Sequence, residues 1–275
     1  MRSARSARTG VVVNRRLREI GRFPSQPAFP HTQVHPRQSN RDGDFVVLDT
    51  RSVVDALRSE MQSQIVGGSI PPGTALPEVS VAQMFDVARP TAKAAIEQLV
   101  HIGMLRRLRN KTARVPLFDA ADVADLYLSR GVIESAVARL LAERGEVPSG
   151  AAKALDRFRA AIDDGDKIAE LVQSDIDFHR ALVDATRSSR LRRLHESIIG
   201  EAHLCMSQVQ VHHLLHPRVI ADEHARILAM IEAGDVDQAT SEMTAHLSQA
   251  GDRLVAYLQR LEADVASDRS VGASI

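Results

Sequence analysis

Residues 65–107 read IVGGSIPPGTALPEVSVAQMFDVARPTAKAAIEQLVHIGMLRR, and this stretch decides the fold of the front half. Just upstream, Val53, Val54, Leu57, Met61, Ile65 and Val66 recur at helical spacing, and Gly67-Gly68 ends that helix as a C-cap pair would. Ile70-Pro71-Pro72-Gly73 is a turn in which proline sets φ and glycine permits a positive one. A short helix is predicted over about Val79–Phe85, after which Asp86 tolerates a left-handed turn. Pro90 suits the first turn of a second helix, where its missing N–H would be unpaired anyway. Ala92, Ala95, Ile96, Leu99 and Ile102 give that helix a buried face, and Gly103 ends it. Met104–Leu108 and Thr112–Val115 read as two short strands around the basic tip Arg109-Asn110-Lys111. Helix, helix, turn, helix, hairpin is the layout of a winged helix-turn-helix, assigned to residues 46–116.

Working outward, the chain falls into unlike parts. Residues 1–45 are rich in Arg, Ser, Pro and Gln without an apolar period, and are read as a disordered basic arm. After Pro116 almost everything is helical, with segments near 119–144, 151–164, 167–186, 190–212, 217–233 and 235–262. The fold class is therefore mainly α: a winged helix-turn-helix, then an all-helical bundle over 117–264, with a flexible tail at 265–275. The charge balance follows the same division. Residues 1–50 hold nine arginines against four acids, residues 51–115 nine basic groups against five acids, and residues 116–275 seventeen against 26. A basic front and an acidic back point to a polyanion-binding half joined to one with a different task. No apolar run is long enough to span a membrane, and the single cysteine, Cys205, excludes an internal disulfide framework. A soluble cytoplasmic protein is the expectation.

Arg89 and Lys93 project from the first turn of the second helix, the end that enters a major groove. The planar fork of Arg89 can bond guanine O6 and N7 together, whereas Lys93 is a point charge that reads less sharply. Thr91 is short enough to touch a thymine methyl or a phosphate. Arg106, Arg107, Arg109, Lys111 and Arg114 follow along the hairpin, where phosphate contact is expected rather than base reading.

The stretch quoted above resembles the DNA-binding domain of the GntR family of bacterial transcription regulators. Gly68, Ile70, Pro72-Gly73, Leu76, Glu78, Ala82, Phe85, Val87, Arg89, Ala95, Leu99 and Gly103 carry the resemblance, in family order and spacing. The family usually leads its recognition helix with Ser-Arg-x-Pro-Val-Arg-Glu-Ala-Leu. Here Ala88-Arg89-Pro90-Thr91-Ala92-Lys93 moves the proline forward, loses a capping serine and replaces the second arginine by Lys93.

The back half holds a candidate metal site. In SDIDFHRAL, Asp175 and His179 are four apart and leave one face of a helix, with Ile176, Leu182 and Val183 aiming His179 inward. His224 lies beside Ile220, Ile227 and Leu228, and His246 beside Met243 and Ala250. If their helices fold back at Gly234, the two imidazoles stand about 15 and 18 Å from the bend, nearly the same height. Three histidines and an aspartate suit a divalent ion, with zinc, nickel, manganese and iron all open. A rival reading makes the site that of a metal-dependent hydrolase, but Asp177, the adjacent acid, diverges by about 100° on the helix. A third makes the metal a structural staple. His212, His213 and His216 look like a further metal tract but read better as a solvated loop.

ADLYLSRGVIE, DIDFHRALVDAT and EHARILAMIEAGDVDQATSEMTAHL extend the resemblance to the FCD ligand-binding domain of the FadR-type branch. The resemblance implies a metal held by Asp175, His179, His224 and His246, and an effector pocket faced by Arg130, with Glu134 one turn on. It also implies a homodimeric, non-enzymatic regulator, read as a repressor of a double-stranded operator and responsive to a small organic acid. Where the family has Gly-Asn after DAT, this chain has Arg187-Ser188.

Overall fold

The computed structural model describes residues 50–165, 167–209 and 216–272. The expected arm at 1–45, His212, His213 and the last three residues lie outside this set.

The front half is built as the sequence predicts, except at its hairpin. Helix α1 (Thr50–Val66) buries Leu57, Met61 and Ile65, one residue per turn. Helix α2 (Glu78–Met84) packs on α3 (Arg89–His101) through Val81, and α3 buries Ala92, Ala95, Ile96 and Leu99. Asp86, at φ 49°, makes the turn between them. Ala88 caps α3 without a side-chain hydrogen bond, so the start of α3 depends on Pro90 and on packing. The two expected strands shrink to isolated bridges. Arg106 and Arg114 exchange backbone hydrogen bonds at 2.8 and 2.9 Å, and the turn closes through Asn110 at φ 58°. Ala75 pairs with Arg114 on the other side, with Leu76 N–H donating to Ala113 at 2.9 Å. The wing is thus a three-segment ladder too short to form strands, because Pro71, Pro72 and Pro77 bracket its third segment.

Behind it lie α4 (Ala120–Ala142), α5 (Ser149–Asp163), α6 (Ile168–Ala185), α7 (Ser189–Gln208), α8 (Pro217–Glu232) and α9 (Val236–Gly272). Asp119 and Asp122 form a reciprocal capping box at the start of α4, and Ser188 caps α7 at Leu191 N–H. Helices α4 and α9 make the most extensive pairing, α5 lies on α6, and α8 turns back on α9 at Gly234. The α6–α7 turn places Arg187 at φ 57°, a left-handed position that glycine would occupy without strain. Helix α9 continues to Gly272, well into the stretch expected to be a flexible tail. Its run of Ala, Asp, Ser and Arg contains no helix breaker before that glycine.

Among the described residues two cores hold the molecule together, and one of them spans the boundary read at 116. One joins Leu57, Met61, Ile96 and Leu99 of the front half to Val123, Tyr127, Ile176, Ile199 and Leu254 of the bundle. The other lies wholly in the bundle, around Phe158, Phe178, Ile227, Ile231 and Met243. The halves touch where the C-terminal end of α3 meets α7. A Cβ on Gly200 would stand 1.7 Å from the Ile102 carbonyl oxygen, and one on Gly103 2.2 Å from that of Ser197. Only two glycines permit so close an approach.

Candidate functional site

The candidate DNA-facing surface is assembled from α2, α3 and the hairpin. The Arg89 side chain is 68% exposed, and its Nε donates to Glu78 Oε2 at 3.3 Å, so α2 holds the guanidinium at the start of α3. Lys93 stands exposed with Glu97 one turn on, and Thr91 is half-buried between them. Arg109 and Lys111 are exposed on the wing tip. A cleft lined by Glu78, Arg89, Arg107, Lys111 and Thr112 joins helix and wing, and the buried Arg107 Nε has no hydrogen-bond partner there. An N–H orphaned beside two other cations suits a phosphate oxygen. The remaining hairpin arginines turn away. Arg114 donates to the Gly73 carbonyl at 3.1 Å, and Arg106 binds Asp122 at 3.0 Å and Glu201 at 2.6 Å.

The second site lies in the bundle, where α6, α8 and α9 converge. His179 and His224 are 0% exposed, and Asp175 and His246 5%. Their ligand atoms all lie within 4.8 Å of one another. His246 Nε2 is 3.3 Å from both His179 Nε2 and His224 Nε2, while Asp175 Oδ1 is 3.5 Å from His224 Nε2 and 3.9 Å from His179 Nε2. Ligands bound at about 2.1 Å around a tetrahedral ion would sit about 3.4 Å apart.

Carboxylates behind the ring nitrogens decide what this spacing means. His246 Nδ1 bonds Glu223 Oε2 at 2.8 Å, and His179 Nδ1 lies 2.5 Å from Glu134 Oε2, close but off hydrogen-bond geometry. Burial opposes ionisation of Glu134, but Arg130, then His179 and His195, outweigh it and hold the carboxyl well below its ordinary range. Burial likewise opposes the Glu223 charge, and the His246 hydrogen bond overcomes it. A carboxylate can only accept, so each facing Nδ1 carries its ring's proton and the two Nε2 atoms present lone pairs. Two acceptors 3.3 Å apart in a buried site repel unless a cation lies between them. Burial, reinforced by His246 and His179, pushes the His224 pKa well down, and burial lowers that of His179. Both rings are held neutral, the form that ligates metal. His224 is fixed by Phe178, stacked at 3.9 Å between ring centroids and 8° between planes. The donor set fits a divalent ion of the zinc, nickel, manganese or iron kind.

Arg130 is 1% exposed and grips Glu134 through Nε at 2.8 Å and Nη2 at 3.5 Å, with its guanidinium over the Tyr127 ring. Glu134 also receives His195 at 3.1 Å, so one carboxylate joins the arginine to a metal-facing histidine and to α7. Asp177 points out of the site to Arg157 and Arg180. Cys205 is buried with its thiol pushed up to about 12, chiefly by burial, which leaves it inert.

Sequence reasoning named the four residues that converge in the structure and missed their supports. Glu134 follows Arg130 by one turn and could be noted but not given a role; Glu223 and His195 gave no signal. Glu223 directly precedes His224, yet bonds a histidine on the neighbouring helix. His203 was missed as well. It is 3% exposed, and burial, aided by Arg180, lowers its pKa from 6.5 to about 4. A depressed imidazole pKa gives stability that is complete above 6.5 and lost as pH falls toward 4. Metal-free chain should therefore lose about 2–3 kcal/mol more between pH 7.5 and 4 than its His203→Gln variant, by urea unfolding. Equal losses would show that His203 is protonated without cost.

Comparison with known proteins places both halves. Residues 51–115 match the family of bacterial regulatory proteins called gntR, and residues 125–249 match the FCD domain. The chain is 23% identical to an uncharacterized HTH-type transcriptional regulator, YdhC, of Bacillus subtilis, over 73% of this chain and 90% of that one. It is 26% identical to the HTH-type transcriptional repressor NanR of Klebsiella aerogenes, over 73% and 84% respectively. A GntR transcriptional regulator from Rhodococcus sp. RHA1, solved by crystallography, superposes with a TM-score of 0.61 at 25% identity, over 74% of this chain and 98% of that one.

Proposed function

The chain belongs to the GntR family of bacterial regulators and carries an FCD domain behind its DNA-binding half, and from that premise we propose a homodimeric repressor whose operator affinity is set by a metal-centred sensor. It is a DNA-binding transcription regulator. The finer assignment rests above all on one observation, the buried convergence of three imidazole nitrogens and a carboxylate oxygen within 4.8 Å. Asp175, His179, His224 and His246 hold the ion, and Glu134 and Glu223 orient two of its histidines. A divalent ion held by these residues would offer a Lewis-acid contact to an effector carboxylate if it takes more than these four ligands. Arg130 spends Nε and Nη2 on Glu134, which leaves Nη1 to clamp that carboxylate. Sensing, rather than hydrolysis, is favoured because the acids around the ligands are engaged: Glu134 and Glu223 face His179 and His246, and Asp177 is committed to Arg157 and Arg180 outside the site. No helix among the described residues is long and apolar enough to cross a membrane.

On the DNA side, Arg89 reads bases, Thr91 and Lys93 support it, and Arg109 and Lys111 bind phosphate through the wing. Two copies of α3 must reach successive major-groove faces of one duplex. The chain is therefore expected to protect a pseudo-palindrome with half-sites about one helical turn apart, as a dimer by light scattering. Protection of a single half-site by a monomer would contradict this.

A further inference from the structure

Helix α7 has two working faces about a quarter-turn apart. On one, His195 is 2% exposed and contacts Glu134 Oε1 at 3.1 Å, behind the candidate metal site. On the other, beginning at the next residue, Glu196, Ser197, Gly200 and Glu201 face the DNA-binding half. Glu196 lies 3.9 Å from His101 at the end of the reading helix. Ser197 and Gly200 press against Gly103 and Ile102 with no room for a Cβ. Glu201 takes Arg106 of the hairpin at 2.6 Å, and the same arginine reaches Asp122 at the start of α4. Helix and wing are thus both seated on one turn and a half of α7.

We propose that His195 is the positioning residue through which the metal site reports its state to the DNA reader. The proposal rests on the regulatory reading above. Glu134 is the hub: its two oxygens meet Arg130, His179 and His195, from three helices. With His179 Nε2 committed as a ligand, Nδ1 is the N–H that faces Glu134 Oε2. Oε1 is then fixed where His195 meets it. Without an ion on Nε2 the His179 ring is held from one side only, so its hold on Glu134 loosens, and so does the hold on His195. An effector that draws Arg130 away redistributes the same carboxylate. Because α7 meets α3 and the hairpin without slack, a small shift of His195 is passed on as a shift of the reader and not absorbed. Cys205 and Met206 anchor the far end of α7 in the core, so displacement is expressed at its middle turns.

The test compares two variants of similar size in the full chain. In His195→Gln the amide can reach the place of Nε2 and keep the Glu134 contact, whereas the shorter His195→Asn cannot. Operator affinity is measured by fluorescence anisotropy on a duplex selected by the wild-type chain, with the protein stripped by chelator and then loaded with zinc. Zinc uptake is measured separately by competition with a chelating dye. The wild-type chain should change operator affinity about fivefold or more on loading. His195→Gln should keep that response, and His195→Asn should cut it below about twofold while still taking up zinc. If both variants respond as the wild type does, or neither does, His195 carries no signal. A His195→Asn chain that cannot bind zinc or fold makes the residue a packing element and also overturns the proposal. Absence of any zinc response in the wild-type chain sinks the regulatory reading itself, and shows before any substitution is made.

Discussion

A chain carrying His224→Ala is expected to lose divalent-metal affinity by at least about 100-fold. The ring contributes one of three converging Nε2 atoms, 3.3 Å from that of His246, and burial keeps it neutral and ready to ligate. Its loss leaves two imidazoles and Asp175 around a gap next to Phe178, and water must supply the missing ligand. The same substitution should abolish any operator response to metal, since a ligand shifts an equilibrium only through its differential affinity for the two states. Truncation also opens a cavity beside Phe158 and Phe178, costing about 1–3 kcal/mol of stability. His224→Gln keeps much of the volume and separates that cost from ligation. Titration of the stripped variants with zinc, followed by calorimetry, checks the affinity. Wild-type affinity in both variants would remove His224 from the site.

Arg89→Ala is expected to weaken binding to the selected operator by roughly 1–3 kcal/mol, about 5- to 150-fold, with a smaller loss on random duplex. Glu78 Oε2 holds Arg89 Nε at 3.3 Å, leaving both terminal nitrogens of the fork free to meet a guanine edge. Lys93 lies on the exposed face of the same helix, 3.8 Å from Glu97. Its removal should cost a similar factor on both duplexes and reduce the salt dependence by about one phosphate contact. Competition binding at two salt concentrations separates these behaviours. Equal losses on operator and random duplex for Arg89→Ala would make that residue a phosphate contact.

The legible parts of this molecule were those in which local pattern and global packing agree. Helix α3 announced itself through Ala92, Ala95, Ile96 and Leu99, all fully buried in the structure. The hairpin at Gly234 was legible as counting, since nearly equal rises on either side bring His224 and His246 to about one height. The wing was less so. Arg106 and Arg114 alternate with apolar residues as a DNA-facing strand would, yet one is spent on Asp122 and Glu201 and the other on the Gly73 carbonyl. Nothing local distinguishes a cation facing solvent from one facing a helix 95 residues later. The same reason hid His195, Glu223 and His203. Each acts through a partner on another helix, and periodicity reports only which face of its own helix a residue shares. The shared core was invisible for a related reason: Pro116 marks a change in texture, while Ile96 and Leu99 belong to one cluster with Ile176 and Ile199.

The most direct test of the account is elemental mass spectrometry on the full chain, purified without metal-affinity resin, with operator affinity measured before and after chelation. The account predicts about one divalent ion per chain and an operator affinity that changes about fivefold or more when the ion is removed and recovers when it is restored. A chain that holds no stoichiometric metal, or binds its operator equally well with and without it, contradicts the account.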